Sequence, residues 1–167
     1  MSLRIAILTV SDRSAAGERQ DASGPALAQV IMEQGWIVAK QDIIPDEILL
    51  IQEKLGAWAD SGEMDIILTS GGTGFSRRDV TPEATLAVIE RQAPGLAEAM
   101  RSESLKTTRH AMLSRAVAGI RGQTLLVNLP GSPKGALENF LIILPVLPHA
   151  VQLLSENPQA EAGHGNY

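Results

Sequence analysis

The sequence has 167 residues with a formal net charge of −5, 44% hydrophobic residues, 3% aromatic residues and no cysteine. This length suits one domain with its own core, so we expect a single domain over 1–155 and a polar tail over 156–167. The acidic balance and the few aromatic rings argue against a nucleic-acid-binding protein, and the lack of cysteine excludes disulfides and thiolate sites. We find no run of 18 apolar residues, which is about the length that a membrane-spanning helix needs. Because no secretion signal is recognised, we expect a cytoplasmic location.

In the first half of the chain, apolar runs alternate with helical patterns. Residues 4–10 and 65–69 are rich in Ile, Leu and Val and predict buried strands, and residues 36–44 predict a further strand between them. One helix is predicted to begin near Pro25, with Ser23 as its candidate cap, and to end at Gly35; another is predicted over 47–60. The connection between residues 11 and 24 is unusually long for a compact domain, and such loops tend to be functional or mobile.

The second half predicts further helices and a hairpin. Thr81 is a candidate N-cap of a helix with Pro82 in its first turn, and residues 94–104 also suit a helix. Residues 116–120 and 124–128 flank a glycine-containing turn and predict an antiparallel hairpin. A last helix from about Lys134 should be kinked or divided by Pro145 and Pro148. The alternation predicts a three-layer α/β/α sandwich with a mostly parallel sheet and the hairpin at its antiparallel edge.

Four polar loops follow the predicted strands. They begin at Ser11, Pro45, Gly71 and Pro130. Because ligands in open α/β sheets bind beyond the carboxyl ends of the strands, we expect these loops to form one site.

The loop Gly71-Gly72-Thr73-Gly74 is the clearest candidate for binding an anion. Its glycines allow backbone conformations that expose N–H groups, and it leads toward a predicted helix N-terminus, which favours negative charge. It lacks the Lys-Ser/Thr pair of a Walker A loop and the glycine spacing of a dinucleotide-binding fingerprint. A tight strand–helix turn is the alternative interpretation.

Two acids lie on these loops. The carboxylate of Asp79 would repel a phosphate bound at the glycine loop unless a cation lay between them, and Mg²⁺ is typically held by one or two carboxylates together with substrate phosphates. Asp46 is a candidate second ligand. Both acids could instead be turn or cap residues.

Other polar residues near these loops each have two interpretations. Arg77, Arg78 and Lys134 could neutralise phosphate charge or could be surface charges. Ser114 could bring a hydroxyl to the site, and Asn128 offers donors and an acceptor for a heterocycle but could be a satisfied turn amide. The three histidines lack metal-ligand spacing.

Several ordered segments resemble the molybdenum-cofactor biosynthesis family, which includes MogA, MoaB and the G domains of gephyrin and its plant counterpart. The segments are Val10–Arg13, Ile44–Glu47, Thr69–Phe75, Arg78–Thr85, Met112–Gly122 and Asn128–Ser132. The resemblance runs from about Arg4 to Leu154, and the segments around Asp79 and Asn128 look like the MogA and gephyrin-type branch. A small departure is Ser70, which stands where threonine is common.

The resemblance implies molybdopterin adenylyltransferase activity, in which ATP and molybdopterin give adenylyl-molybdopterin and pyrophosphate with Mg²⁺. It implies a homotrimer with an α/β fold, and a later step in which a partner protein inserts molybdate. Asp46 and Asp79 would be the required acids, acting on Mg²⁺ and the phosphates. The remaining implied contacts are Gly71, Gly72, Thr73 and Gly74 to phosphate, Ser114, Asn128, Pro130, Gly131 and Ser132 to the pterin, and Ser11 and Asp12 along the same cleft. The alternative function is a pterin-binding carrier or scaffold without chemistry of its own.

Overall fold

The central feature of the computed structural model, which describes residues 2–155, is a six-stranded sheet. Its strands are β1 (Arg4–Val10), β2 (Ile37–Ile44), β3 (Ile66–Ser70), β4 (Arg91–Gln92), β5 (Ala118–Arg121) and β6 (Thr124–Leu129). The helices are α1 (Asp12–Ala15), α2 (Ser23–Glu33), α3 (Ile48–Asp60), α4 (Thr81–Val88), α5 (Pro94–Leu105), α6 (Pro133–Ile143) and α7 (Leu147–Leu154). Short 3₁₀ turns occupy Arg109–Leu113 and Leu144–Val146. The predicted tail over 156–167 lies outside the described residues.

The sheet is mostly parallel with an antiparallel edge, as predicted. Its strand order is β2-β1-β3-β6-β5-β4. The first four strands run parallel, whereas β5 pairs antiparallel with β6 and β4 pairs antiparallel with β5. One strand of the predicted hairpin, β6, lies inside the sheet, and the outermost strand is β4. This strand has only two polar residues, too few to give a periodic pattern in the sequence.

Alternate side chains of the strands enter two separate cores, which gives the three predicted layers. In β1, Ile5 and Ile7 pack in the core that contains Leu27 of α2 and Phe140 of α6. Ala6 and Leu8 pack in the opposite core, beside residues of α3 and α4. Because full burial of one large apolar side chain contributes about 1.5–3 kcal/mol, these cores hold the sheet rigid and fix where its strands end.

Two predicted helix caps are wrong. Ser23 lies inside the first turn of α2, and its N–H and that of Gly24 both donate to Oδ1 of Asp21, at 3.1 and 3.2 Å. Thr81 likewise lies inside α4, because its N–H donates to the carbonyl of Gly72 at 3.1 Å. The Thr81 hydroxyl is buried and has no hydrogen-bond partner among the described residues.

The C-terminal helical stretch is divided by its prolines, as predicted. By length and composition its 22 residues, Pro133–Leu154, could cross a membrane, contrary to the expectation from the sequence. Core helices of soluble proteins pass the same test. Here the inner face of the stretch, including Phe140 and Leu147, is fully buried against the sheet.

Candidate active site

The carboxyl ends of the four parallel strands surround a cavity of about 520 Å³, which we call the acid cavity. Among the residues that line it are Ser11, Asp46, Gly71, Gly72, Asp79, Gly131 and Ser132. The structure therefore brings together residues from all four loops that were expected to form one site. This follows from the parallel pairing of β2, β1, β3 and β6, which puts their carboxyl ends at one edge.

Asp12 and Asp46 join the loops that follow β1 and β2. The N–H of Asp12 donates to Oδ2 of Asp46 at 2.8 Å, and the N–H of Asp46 donates to Oδ1 of Asp12 at 3.0 Å. Ser11 supports the same corner as the cap of α1, since its hydroxyl accepts the N–H of Ser14. Each acid thus has a structural role in its loop, and Asp46 also faces the cavity.

Burial raises the pKa of Asp46 above its ordinary value, and the charges of Asp12 and Asp79 add to the effect. Asp12 behaves in the opposite way, because its hydrogen bonds with Arg78 lower its pKa. The ionised Asp46 carboxylate is therefore only partly compensated by the protein. A cation between Asp46 and Asp79 would supply the missing compensation.

Arg78 binds acids rather than facing an open phosphate site. Its Nε and Nη2 donate to the two carboxylate oxygens of Asp12, both at 2.9 Å, and Nη2 also donates to Glu47 at 2.8 Å. These contacts fasten the glycine loop to the loops after β1 and β2. Arg77, its neighbour, is exposed.

The glycine loop combines close packing with access to the cavity. Gly71 has φ of +108°, and a Cβ there would overlap the carbonyl oxygen of Val10. Its N–H donates to the carbonyl of Leu129, so this amide does not face an anion. A Cβ on Gly72 would lie 2.9 Å from Oδ1 of Asp46, and one on Gly74 would lie 2.9 Å from Oδ2 of Asp79. The missing side chains therefore let both acids approach the loop backbone.

Asp79 closes the irregular segment that follows the glycine loop. Its Oδ2 accepts the N–H of Ser76 at 2.8 Å, and its own N–H donates to the carbonyl of Ser76. A carboxylate has about four lone-pair positions, so this bond leaves capacity for a cation in the cavity.

A second cavity of about 420 Å³, which we call the outer cavity, is lined by the second half of the glycine loop. Its lining includes Thr73, Gly74, Ser114 and Pro130. Ser132 lines both cavities, and its hydroxyl caps α6 by accepting the N–H of Gly135 at 3.1 Å. The residues expected from the sequence to form one cleft are thus divided between two adjoining cavities.

Asn128 lies away from both cavities, in the interior of the sheet. Its side chain is fully buried, and Nδ2 donates to the hydroxyls of Thr69 and Thr85, both at 2.9 Å. Its Oδ1 accepts the N–H of Val117 at 3.2 Å. The expected contact between Asn128 and a pterin is therefore not available in this structure, since all its polar atoms bind β3, α4 and the start of β5. The alternative interpretation, an amide whose hydrogen bonds are all made within the protein, is confirmed, although Asn128 lies in strand β6 and not in a turn.

The donor set of the acid cavity is compatible with Mg²⁺. Over residues 2–155 no group of three or more His, Asp or Glu side chains could enclose a metal ion. Two carboxylates, Asp46 and Asp79, line one cavity beside the glycine loop. This small set suits an ion that takes its remaining ligands from phosphates and water.

Two lining residues of the acid cavity, Arg19 and Gln20, were not singled out from the sequence. They belong to the long connection between residues 11 and 24, and its length was the signal that could have identified them. The first residues of α2 and α6 also line this cavity. Helix N-termini carry partial positive charge, so Arg19 and these two helices add positive charge to a cavity that also contains two acids. Lys134 does not line the acid cavity; its Nζ lies 3.8 Å from Oε1 of Glu138.

Comparison with known proteins identifies the family and the fold of this chain. Residues 6–149 match a family described as a probable molybdopterin binding domain. The chain is 39% identical to the molybdopterin adenylyltransferase of Escherichia coli K12 over 96% of this chain and 89% of that protein. It is 44% identical to the molybdenum cofactor synthesis protein cinnamon of Drosophila melanogaster over 93% of this chain, but it spans only 26% of that longer protein. A crystal structure of the molybdopterin biosynthesis enzyme MoaB from Thermus thermophilus superimposes with a TM-score of 0.88 at 51% identity, covering 93% and 98% of the two chains.

Proposed function

We propose that this chain, which belongs to the MogA, MoaB and gephyrin G-domain family of molybdopterin-binding proteins, transfers the adenylyl group of ATP to molybdopterin. The observation that carries the proposal is the division of the site by the glycine loop. The first half of this loop lines the acid cavity, its second half lines the outer cavity, and Ser132 lines both. Two adjoining compartments could hold the two substrates of a transfer reaction next to each other.

In this proposal the acid cavity binds the triphosphate of ATP. Asp46 and Asp79 would hold Mg²⁺, which neutralises phosphate charge and orients the group to be transferred. Arg19 and the N-termini of α2 and α6 attract the remaining negative charge. Asp12 and Arg78 hold the Asp46 carboxylate in place by joining the loops after β1 and β2 to each other and to the glycine loop.

The outer cavity binds the pterin substrate. Ser114 and Ser132 offer hydroxyls there, and Arg101 and Asn139 add donors. Asn128 contributes indirectly, because it ties β3 to α4 and so supports the wall between the cavities. Adenylyl transfer then breaks the bond from the α-phosphorus to pyrophosphate and forms a bond from that phosphorus to an oxygen of the pterin substrate.

The deciding experiment mixes the protein with ATP, Mg²⁺ and molybdopterin and measures pyrophosphate and adenylylated pterin. We expect both products in equal amounts, and neither when Mg²⁺ or molybdopterin is left out. The E. coli relative serves as the positive control. Pterin binding without product, under conditions in which that relative turns over, would contradict the proposal.

A second candidate function is a carrier or scaffold that binds molybdopterin without chemistry. It is favoured by the description of the matching family, a probable molybdopterin binding domain, which specifies binding and no reaction. The same assay separates the two functions, because a carrier binds the pterin and releases no pyrophosphate.

We further propose a cytoplasmic homotrimer that passes its product to a molybdate-inserting partner protein. Light scattering after size-exclusion chromatography tests the trimer, which should have three times the 17.8 kDa mass of the chain.

A further inference from the structure

Arg115 makes an unusual set of contacts with the glycine loop. Its backbone N–H donates to the carbonyl of Thr73 at 2.9 Å, and its Nε donates to the carbonyl of Gly74 at 2.7 Å. Its Nη2 donates to the carbonyl of Asp79 at 2.6 Å, and the guanidinium also pairs with Glu83 in the first turn of α4. One residue thus contacts both ends of the segment 74–79.

We propose that Arg115 is a positioning residue that sets the Asp79 carboxylate for the metal–triphosphate complex. This inference rests on the proposed adenylyl transfer. The bonds that Asp79 makes to Ser76 are local and lie within the same irregular segment. The contacts from Arg115 anchor that segment to a distant part of the chain, and so they fix where Asp79 lies relative to Asp46.

The chemistry of arginine suits this role. A guanidinium presents five donors in a rigid planar fork, whereas a lysine ammonium is a point charge on a flexible stem. The fork binds two carbonyls and one carboxylate at once, and lysine cannot reproduce that geometry. A displacement of about 1 Å in an active-site group can lower a rate about 100-fold, so loss of the fork should reduce the rate.

Arg115 also links the two cavities along the chain. Its neighbour Ser114 lines the outer cavity, and the main chain of residue 115 is bonded to Thr73, which lines that cavity too. Its side chain reaches Asp79 in the acid cavity. The same short segment therefore touches the proposed pterin compartment and positions a proposed metal ligand.

Arg121 offers a matched control for a role in stability alone. It binds both carboxylate oxygens of Asp60, each at 2.7 Å, and donates to the carbonyl of Val88 at 3.0 Å. Its side chain is 30% exposed, against 33% for Arg115. Neither cavity of the site is lined by Arg121 or by its partners. Arg121→Ala therefore removes a similar set of bonds without touching Asp79.

The test compares Arg115→Ala, Arg115→Lys and Arg121→Ala with the wild-type protein. We expect Arg115→Ala and Arg121→Ala to lower the melting temperature by similar amounts. Only Arg115→Ala should lower kcat, by about 30- to 100-fold, and raise the Mg²⁺ concentration for half-maximal rate. Arg115→Lys should keep most of the stability and recover little of the rate. Pterin binding should change less than 3-fold in all three variants.

Equal kcat and Mg²⁺ dependence in Arg115→Ala and Arg121→Ala would overturn the inference. If Arg115→Ala does not fold, Arg115→Lys decides, and wild-type kinetics in that variant would likewise overturn it. If the wild-type protein makes no product, the proposed function fails. The inference is then tested by titrating Mn²⁺-ATP and observing Mn²⁺ by electron paramagnetic resonance: it requires at least a 10-fold weaker affinity in Arg115→Ala than in Arg121→Ala, and equal affinities refute it.

Discussion

The two edges of the parallel sheet, where the strands begin and where they end, differ in how completely arginines neutralise their acids. At the edge where β1, β3 and β6 begin, acids pair directly with arginines. Asp65 binds Arg4 at 2.6 Å, and Asp60 binds Arg121 at 2.7 Å through two parallel bonds. The bond with Arg121 lowers the pKa of Asp60. At the opposite edge, where the parallel strands end, Arg78 likewise pairs with Asp12 and Glu47. Asp46, after β2, instead accepts the N–H of Asp12, and burial raises its pKa.

Glycines follow the same contrast. Gly62 and Gly122, near the beginning of the strands, have φ of +69° and +55°, and a Cβ on either would meet open space. They serve as ordinary turn residues. Gly71 and Gly72 also have positive φ, but a Cβ on Gly71 would overlap Val10, and one on Gly72 would overlap the Thr81 hydroxyl.

The difference shows where stability has been given up. Buried polar groups normally have partners, yet the Thr81 hydroxyl beside Gly72 has none within the described part of the chain. Uncompensated charge, crowded glycines and an unpaired hydroxyl all occur at one edge. Features that lower stability in this way are expected at functional sites. The edge where the strands begin, which has ion pairs and uncrowded turn glycines, provides an internal control.

The largest effect we expect comes from neutralising the acids of the site. Asp46→Asn and Asp79→Asn each keep the size of the side chain but remove a charge that would hold Mg²⁺, so kcat should fall about 10²–10³-fold, as for other losses of one electrostatic contact in a transition state. Asp60→Asn, at the opposite edge, should leave kcat unchanged. Pyrophosphate release measures the rate, and fluorescence titration measures pterin binding.

Pterin affinity tells a catalytic role from a structural one. Both site variants should bind the pterin within about 3-fold of the wild-type protein, since the outer cavity contains neither acid. A wild-type rate in Asp79→Asn would show that this carboxylate does not participate in transfer. Equal losses of rate in Asp60→Asn and Asp46→Asn would remove the contrast between the edges.

The next effect concerns the glycines. Gly71→Ala forces an alanine into positive φ and also against the carbonyl of Val10, so we expect a loss of about 3 kcal/mol or more in the free energy of unfolding. Gly122→Ala has the same backbone strain without the overlap, and should cost about 1–2 kcal/mol. Urea unfolding measures both values. Similar losses for the two variants would mean that close approach at Gly71 does not restrict the residue there.

Much of the fold could be predicted from the sequence, because its signals are local. The apolar runs that became β1, β2 and β3, and the prolines at 145 and 148, act within a few residues of themselves. The loops at the strand ends were found for the same reason, since parallel strands bring their carboxyl ends to one edge. The two wrong caps, Ser23 and Thr81, were also local predictions. They failed because both helices begin earlier than predicted. The N–H groups of Ser23 and Gly24 donate to Asp21 in one case, and the N–H of Thr81 donates to Gly72 in the other.

The site was predicted less completely, since its arrangement depends on distant contacts. Arg115 reaches carbonyls 41 and 36 residues away along the chain, and no local pattern indicates such a contact. Asn128 failed as a predicted ligand contact for a similar reason. Its position at the end of a strand suggested exposure, but hydroxyls from β3 and α4 enclose it. The division into two cavities also depends on α6, since residues of this helix line both of them.

The smallest effect, and the most direct test of the contrast, is that Asp46→Asn and Asp60→Asn should change the melting temperature in opposite directions. Because the folded protein raises the pKa of Asp46 above 3.8, the ionised carboxylate costs stability at neutral pH, and that cost disappears as the pH falls through the raised pKa. Asp46→Asn keeps an acceptor for the N–H of Asp12, so without ligand it should melt about 2 °C higher at pH 7. Asp60 has a lowered pKa, so its ionised form stabilises the fold at neutral pH, and Asp60→Asn should melt lower.

The difference for Asp46→Asn should shrink as the pH falls through the raised pKa of Asp46, whereas the difference for Asp60→Asn should persist over the same range, because the lowered pKa of Asp60 keeps it ionised in the folded chain. Thermal unfolding of the two variants and the wild-type protein at several pH values between 7 and 4 measures this. With Mg²⁺ and ATP present, the order at pH 7 should reverse for Asp46, because ligand binding stabilises only a protein that still has the binding carboxylate. A lower melting temperature for unliganded Asp46→Asn at pH 7 would mean that Arg78 and the backbone compensate this charge fully. The edge where the strands end would then be as well balanced as the edge where they begin.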